Sequence, residues 1–497
     1  MTERPTAVVI GSGFGGLAAA VRLGARGYRV IVCEQLDAPG GRAYVYRQDG
    51  FTFDAGPTIV TAPFLLEELW ALAGRRLEDD VTLKSLDPYY RIRFDDGTHF
   101  DYHGDPQAMR QQIAKFSAED LEGYDRFLEA SAKLYKLGFD ELLHVSFESL
   151  WTMIKALPAL ISTQFYRSVY SMVASYIKHP KLRQVFSFHP LLIGGNPKSA
   201  TAIYALIAHL ERTHGVHYAM GGTGELISGL VKLIEGQGGE VRCNARVEEI
   251  VVRDGRAQGV RLASGDTIDA TVVVSNADSA TTYRSLVSAD HRNRWTDRKL
   301  DRSRYSMSLF VWYFGTNKQY PDLPHHMILL GPRYEGLLDD IFNKKVLADD
   351  FSLYLHRPTA SDPSMAPEGC EAFYVLSPVP NLDADVDWTA QAEKYRQRIE
   401  AYLEETVMPG LKKSVVTSRM LTPIDFRDRL SSAAGAGFSF EPVLTQTAWF
   451  RPHNRSEDIE GLFLVGAGTH PGAGMPGVIS SAKVLDDIVP APAASAG

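Results

Sequence analysis

The sequence predicts an α/β fold of two or three compact regions, and three observations carry that prediction. A strand–glycine turn–helix–strand unit fills the first residues, a second α/β stretch begins near Gly221, and a buried strand with a glycine-dense turn and a helix closes the chain. At 497 residues the chain exceeds what one simple core holds. Hydrophobic residues at 45% and charged residues at 23% are the balance of a soluble globular protein rather than a disordered one. A net charge of -8 gives no electrostatic footprint for nucleic acid.

In order along the chain, Thr6 to Ile10 reads as a strand, Gly11 to Gly16 as a turn, Leu17 to Arg26 as a helix ended by Gly27, and Arg29 to Cys33 as the next strand. The apolar stretch Ala7 to Val21 imitates a signal-peptide core, but its patterned glycines fit a strand–turn–helix better. From Pro106 to about Leu210 the pattern is helical, with Pro158, Pro180, Pro190 and Pro197 expected to break it. After Gly221 come a helix at Glu225 to Glu235 and strands at Glu240 to Asn244, Val247 to Arg253, Gly259 to Ala263 and Thr271 to Ser275. Residues 291–450 read as mixed strands and loops, with strands at Ser308 to Phe314, Phe351 to His356 and Ala372 to Ser377 and a helix at Ala390 to Thr406. Leu462 to Val465 is a last buried strand, and residues 491–497 read as a flexible tail.

The N-terminal turn carries the first chemistry. Gly11, Gly13 and Gly16, with Gly15 beside them, form G-x-G-x-x-G between a strand and a helix. The first permits the turn, the second lets backbone approach a diphosphate, and the third lets helix and strand pack closely, so that the positive helix end faces the phosphates. Glu34 ends the following strand, where a carboxylate accepts hydrogen bonds from ribose hydroxyls. FAD and NAD share this fingerprint. The pairs Gly40-Gly41-Arg42 and Gly56-Pro57 add further close approaches and a guanidinium suited to a diphosphate. The segment Gly461 to Gly477 repeats glycine too often for packing alone, which points to backbone laid along a planar ligand.

No metal-ligand spacing is visible. Cys33, Cys243 and Cys370 form no pair, which fits a reduced, cytoplasmic setting, and no His/Cys/Asp cluster suggests a metal. The longest apolar stretch, Ala156 to Ile177, is interrupted by Arg167, so no transmembrane helix is expected.

The two glycine-rich ends together resemble the flavin amine oxidase and phytoene desaturase group. Within it, five strings resemble the bacterial-type phytoene desaturases: Ser187 to Asn196, Phe351 to His356, Phe426-Arg427-Asp428, Ala448 to Asn454 and Gly466 to Gly474. The resemblance runs from the N-terminus to about Lys483. It implies FAD as cofactor and a discontinuous Rossmann-like FAD-binding domain at 1–75, 220–290 and 455–490. It also implies a mixed-sheet substrate domain at 76–105 and 291–454, and a helical lid or membrane region at 106–219. The cofactor set it implies is Gly11, Gly13, Gly15, Gly16, Glu34, Gly41, Arg42, Gly56, Pro57, Val247, Gly466, Gly468, Gly474, Pro476 and Gly477.

The activity implied is stepwise oxidation of phytoene, through phytofluene and ζ-carotene, to neurosporene or lycopene. A hydride would leave an allylic carbon for the flavin, and a quinone or oxygen would accept the electrons. Thr469 and His470 are expected as the polar groups nearest the reacting carbons, with the alternative that His470 only bonds backbone or flavin oxygens. Because a polyisoprenoid must come from a lipid bilayer, peripheral association with the inner membrane is expected. Lys155 and Arg167 are the cations of an apolar, aromatic stretch suited to that surface or to substrate; a core helix pair with two snorkelling cations reads equally well. Two alternatives stay open. One is another flavin oxidase of the same fold, acting on an amine or a porphyrinogen; the other is a non-enzymatic prenyl-binding escort, which has no need of the Gly11–Gly16 turn, Glu34 and the late loop together.

Overall fold

The computed structural model describes residues 4–492, so residues 493–497 of the expected tail lie outside the described residues. Three separated parts of the chain build one parallel sheet of five strands, in the order Leu462–Leu464, Val272–Ser275, Thr6–Ile10, Arg29–Cys33 and Glu240–Arg242. Ala7 lies opposite both Val272 and Val30, so Thr6–Ile10 is central and covered on both sides. Its valines and isoleucine and those of its neighbours are buried, the mark of a parallel sheet with both faces packed. The crossover helix Phe14–Ala25 is buried from Phe14 through Leu23 and packs against the helices Met475–Lys483 and Thr223–Gly236. On the other face lies an antiparallel sheet of Val247–Arg253, Arg256–Leu262 and Thr267–Asp269.

A second sheet has seven strands, ordered Val415–Leu421, Ser308–Thr316, Glu371–Val379, Leu353–His356, His326–Leu329, Tyr90–Arg93 and His99–Tyr102. It is mixed: Tyr90–Arg93 runs parallel to His326–Leu329 and the remaining pairs are antiparallel. Alternation along Ser308–Thr316 divides the two faces. Phe310, Trp312 and Phe314 pack with the helix Trp388–Thr406, whereas Leu309, Val311 and Tyr313 face the interior of the molecule. The hairpin Val45–Gln48 and Phe51–Asp54 sends Tyr46, Phe51 and Phe53 into that second core, although it falls within the stretch expected to belong to the cofactor domain.

The region 106–219 supplies the third wall, with helices that include Leu121–Tyr135, Leu150–Ser162, Pro180–Ser187 and Leu206–His214. Two prolines act differently from the expectation. Pro180 opens its helix at the first turn, where its missing N–H costs nothing. Pro158 lies inside Leu150–Ser162 rather than ending it. The carbonyl it deprives of a donor belongs to Ile154, which is exposed, so water can serve instead. Among the described residues, no helix is long and apolar enough to cross a membrane.

Candidate active site

One continuous cavity of about 750 Å³ runs from the first glycine turn to the inner face of the seven-stranded sheet. That volume lies in the upper part of the roughly 300–1,000 Å³ range of small-molecule sites. Its two ends differ in chemistry. The first is bounded by Gly11, Gly13, Gly15, Glu34, Gly41, Arg42, Val247 and Gly466, and by the segment Gly474, Pro476 and Gly477. The second is apolar, walled by Phe188 and Leu191, by Leu206 and Leu210, and by sheet residues such as Leu309, Ile328 and Leu376.

Two helix N-termini open into the first end. Phe14–Ala25 begins after Gly13 and Met475–Lys483 begins after Gly474; neither has a side-chain cap, and neither first turn holds an acid. Their free N–H groups and positive dipole ends therefore suit an anion. Gly11 has φ +88°, and its N–H donates to Cys33 O at 2.8 Å, so the turn needs a residue without Cβ. Gly16 does not line the cavity; a Cβ there would lie 2.1 Å from Gly11 O, so its role is helix-on-strand packing.

Glu34 is buried at the cavity edge. Its carboxylate accepts from Ser12 N at 2.9 Å, Ser12 Oγ at 2.6 Å and Leu36 N at 2.9 Å, and its backbone carbonyl holds Ala245, just before Val247. Arg42 also lines the cavity, but its Nε donates to Gly437 O at 2.8 Å and its Nη2 to Ser432 Oγ at 3.0 Å. It thus ties the N-terminal turn to the loop 432–437. Burial pushes its pKa down, and the nearby Asp278 carboxylate opposes that shift. Gly56 and Pro57 line the wall, and a Cβ on Gly56 would lie 2.2 Å from Arg42 O.

Three expected residues are corrected. Thr469 is fully buried and donates to Pro452 O at 2.7 Å. His470 contacts the Leu142 carbonyl through Nε2 at 3.0 Å and packs its ring against Phe147. Neither lines the cavity, so neither is at a reacting carbon. Burial lowers the His470 pKa to about 4, which keeps the ring neutral and a donor. We therefore expect His470→Gln, which retains a donor, to leave kcat unchanged; a kcat collapse in folded, FAD-loaded variant would restore a catalytic role. Gly468 is likewise absent from the lining; a Cβ there would lie 2.3 Å from Ser279 Oγ, so this glycine serves packing against Ser279.

Other residues at the site escaped the sequence reading. Asn276 stands among the glycines: its side chain would meet a Cβ on Gly13 at 3.0 Å, on Gly15 at 2.6 Å and on Gly466 at 2.7 Å. The signal was its place after the strand Val272–Ser275, since ligands bind beyond the carboxyl ends of parallel strands. At the apolar end Thr58 Oγ1 bonds Tyr374 OH at 2.9 Å and Tyr354 OH at 3.2 Å, a hydroxyl cluster in the wall.

Asp54, beside this wall, is buried; one oxygen accepts from Thr223 N at 2.8 Å and the other has no partner. Burial raises its pKa to about 7. The unfolded carboxylate has a pKa of about 3.9, so between those values the folded state binds the extra proton. This group's contribution to stability is therefore greatest at low pH and declines as pH rises through that window. Asp54→Asn keeps the acceptor for Thr223 and should flatten the decline; urea melts at pH 5 and pH 8 that keep the wild-type difference would disprove the assignment.

The flavin containing amine oxidoreductase family matches residues 14–484. The phytoene desaturase (neurosporene-forming) of Cereibacter sphaeroides is 51% identical over 98% of this chain and 95% of its own. The lycopene-forming enzyme of Pseudescherichia vulneris is 52% identical over 97% of this chain and 98% of its own. This chain is a member of the bacterial phytoene desaturase family. An oxidoreductase structure from Methanosarcina mazei shares the fold, with a TM-score of 0.64 at 17% identity, over 97% of this chain and 100% of that one.

As in the wider flavoprotein family, the cofactor of this desaturase is FAD. The residues fit it: two uncapped helix starts suit a diphosphate, and the glycine cradle brings backbone to the cavity where side chains would fill it. Gly11 to Gly15, Glu34 and Val247 would hold the nucleotide part, and Gly466 and Gly474 to Gly477 the ring system, next to the apolar end.

Proposed function

We propose that this chain dehydrogenates phytoene stepwise, through phytofluene and ζ-carotene, to neurosporene or lycopene. The observation that carries the reading is the continuity of the cavity: the glycine-lined end passes without a partition into an apolar end. FAD, when bound, would supply the two-electron oxidant as acceptor of a hydride from an allylic carbon, the second hydrogen leaving as a proton. The protein's part is positional. Leu309, Ile328 and Leu376 on the sheet and Leu206 and Leu210 on the facing helix offer a polyene only dispersion and exclusion of water. The relatives' names, neurosporene-forming and lycopene-forming, support the substrate class.

The substrate comes from a lipid bilayer that the protein approaches from the cytoplasmic side of the inner membrane. Support lies in the helix Leu150–Ser162. Leu150, Ile154, Leu157 and Ile161 recur at helical spacing and are exposed, as is Trp151 at 60%. The helix contacts the turn Ala448–Phe450, which adds exposed Phe450. Lys155 is exposed on the same helix and suits anionic headgroups. Arg167 is half-buried, its guanidinium spent on Gln164 Oε1, Ser171 O and Ser175 Oγ, so we assign it to local structure. Reoxidation of the cofactor falls to a quinone or oxygen.

The test mixes FAD-loaded protein with phytoene-bearing liposomes and follows products by chromatography with absorbance detection, with quinone and oxygen each supplied in turn. Coloured products dependent on FAD are expected, and their spectra count the double bonds. Absence of product with retained FAD would overturn the substrate and leave the cofactor standing.

A further inference from the structure

A cluster of three histidines lies behind the substrate wall, although no ligand spacing in the sequence points to a metal. His326 and His356 are register partners on the antiparallel strands His326–Leu329 and Leu353–His356, so both project from one face of the sheet. His325, one residue earlier, closes the group. All three are buried, at 6%, 0% and 0% exposure. One nitrogen from each lies within 4.8 Å of the other two; among the described residues this is the one such group of three or more His, Cys, Asp or Glu side chains.

Hydrogen bonding leaves these rings unfinished. His325 Nδ1 bonds Ser361 Oγ at 2.8 Å, and His326 Nδ1 bonds Tyr354 OH at 2.7 Å. Each of these two rings is thereby oriented through Nδ1, the arrangement by which outer partners commonly fix metal-ligating imidazoles. His326 Nε2 is buried without a partner, as is His356 Nδ1. His325 Nε2 and His356 Nε2 face each other at 3.1 Å. Two nitrogens on a tetrahedral zinc, each about 2.0–2.1 Å from the metal, stand roughly 3.3 Å apart. The spacing already suits a shared cation.

We propose that His325, His326 and His356 form a binding site for a divalent transition-metal ion of the zinc class. Three imidazoles are borderline donors that suit zinc over calcium or magnesium, and they leave a fourth position. Tyr218 packs beside the group: its ring lies 4.6 Å from that of His325 and 6.0 Å from that of His356, and its hydroxyl is buried without a partner. The neighbouring cation Arg357 is already paired with Glu371. Tyr354, which holds His326, lines the cavity, so the ion sits one layer behind the wall. Its role is to clamp the ends of two interior strands of the seven-stranded sheet to the strand His217–Ala219, out of reach of the substrate.

The test uses tag-free, FAD-loaded full-length protein, stripped with a chelator and then given zinc or cobalt alone. About one equivalent of zinc per chain is expected to survive desalting and to raise the melting temperature. Cobalt should give the intense visible bands of a tetrahedral, nitrogen-ligated ion. His326→Gln and His356→Gln should each lose the retained metal while keeping FAD, whereas His99→Gln, at an exposed histidine elsewhere, should bind as wild type. Wild-type protein that retains no metal and gives only the weak bands of aqueous cobalt would overturn the proposal. So would equal retention by wild type and the cluster variants. If the glutamine variants do not fold, the wild-type stoichiometry and cobalt spectrum decide alone.

Discussion

Gly13→Val is expected to yield folded protein that takes up no FAD, and Gly16→Val to yield no folded protein at all. The two glycines are three residues apart in one motif, and the structure gives them opposite duties. Gly13 has φ -69° and ψ 172°, which valine adopts readily. A Cβ there meets Asn276 Nδ2 at 3.0 Å, the movable end of a side chain, and otherwise faces the cavity. Its added bulk occupies the place where backbone must approach a diphosphate. At Gly16 the Cβ would lie 2.1 Å from Gly11 O and 3.0 Å from Asn276 Cβ, so strand and helix must separate. A glycine inside a helix costs about 1 kcal/mol against alanine, and only that close approach justifies it. Flavin absorbance per chain after gel filtration, with circular dichroism melts, checks both. Normal flavin content in Gly13→Val would refute the placement of the cofactor.

That motif was legible because glycine at fixed offsets states a backbone requirement, and backbone requirements are local. The strands Thr6–Ile10, Arg29–Cys33 and Val247–Arg253 were readable for the same reason: β-branched runs bounded by turn residues carry their own signal. Side-chain direction is a different kind of information. In the late loop the sequence shows a threonine and a histidine among glycines, which invites a catalytic reading. The fold turns the backbone of Gly466 and Gly474 to Gly477 toward the cavity and satisfies Thr469 and His470 behind it, on Pro452 O and Leu142 O. The histidine cluster was hidden for a related reason. His326 and His356 meet only through the register of a sheet whose strands are thirty residues apart in sequence. Asn276 became visible only once Gly13, Gly15 and Gly466, distant in sequence, converged on it.

The helix Leu150–Ser162 shows the limit most directly and sets the last prediction. Its apolar, aromatic composition was plain, yet periodicity cannot say whether such a stripe faces a core or lipid. In the fold only Leu160 of this helix is buried, while Leu150, Trp151, Ile154, Leu157 and Ile161 are exposed. An amphipathic helix that turns its apolar stripe outward has a hydrophobic area with no partner inside its own fold. We expect the triple variant Trp151→Glu, Ile154→Glu, Ile161→Glu to keep its FAD and its melting temperature, because none of the three supports the core. Transferring each of these half-exposed side chains into a bilayer interface is worth about 1 kcal/mol. Losing three should weaken vesicle partition by about 100-fold, and product formation from liposomal phytoene with it. Lys155→Glu should act in the same direction but less, by about 1 kcal/mol, and only on anionic vesicles, since it removes a headgroup contact without removing apolar area. Arg167→Ala should leave partition unchanged and lower the melting temperature instead, because its guanidinium is committed to Ser171 O and Gln164 Oε1. Vesicle flotation separates these outcomes. A triple variant that floats with liposomes as wild type does would remove this helix from the membrane face and leave the route of a water-insoluble polyene to be sought elsewhere on the surface.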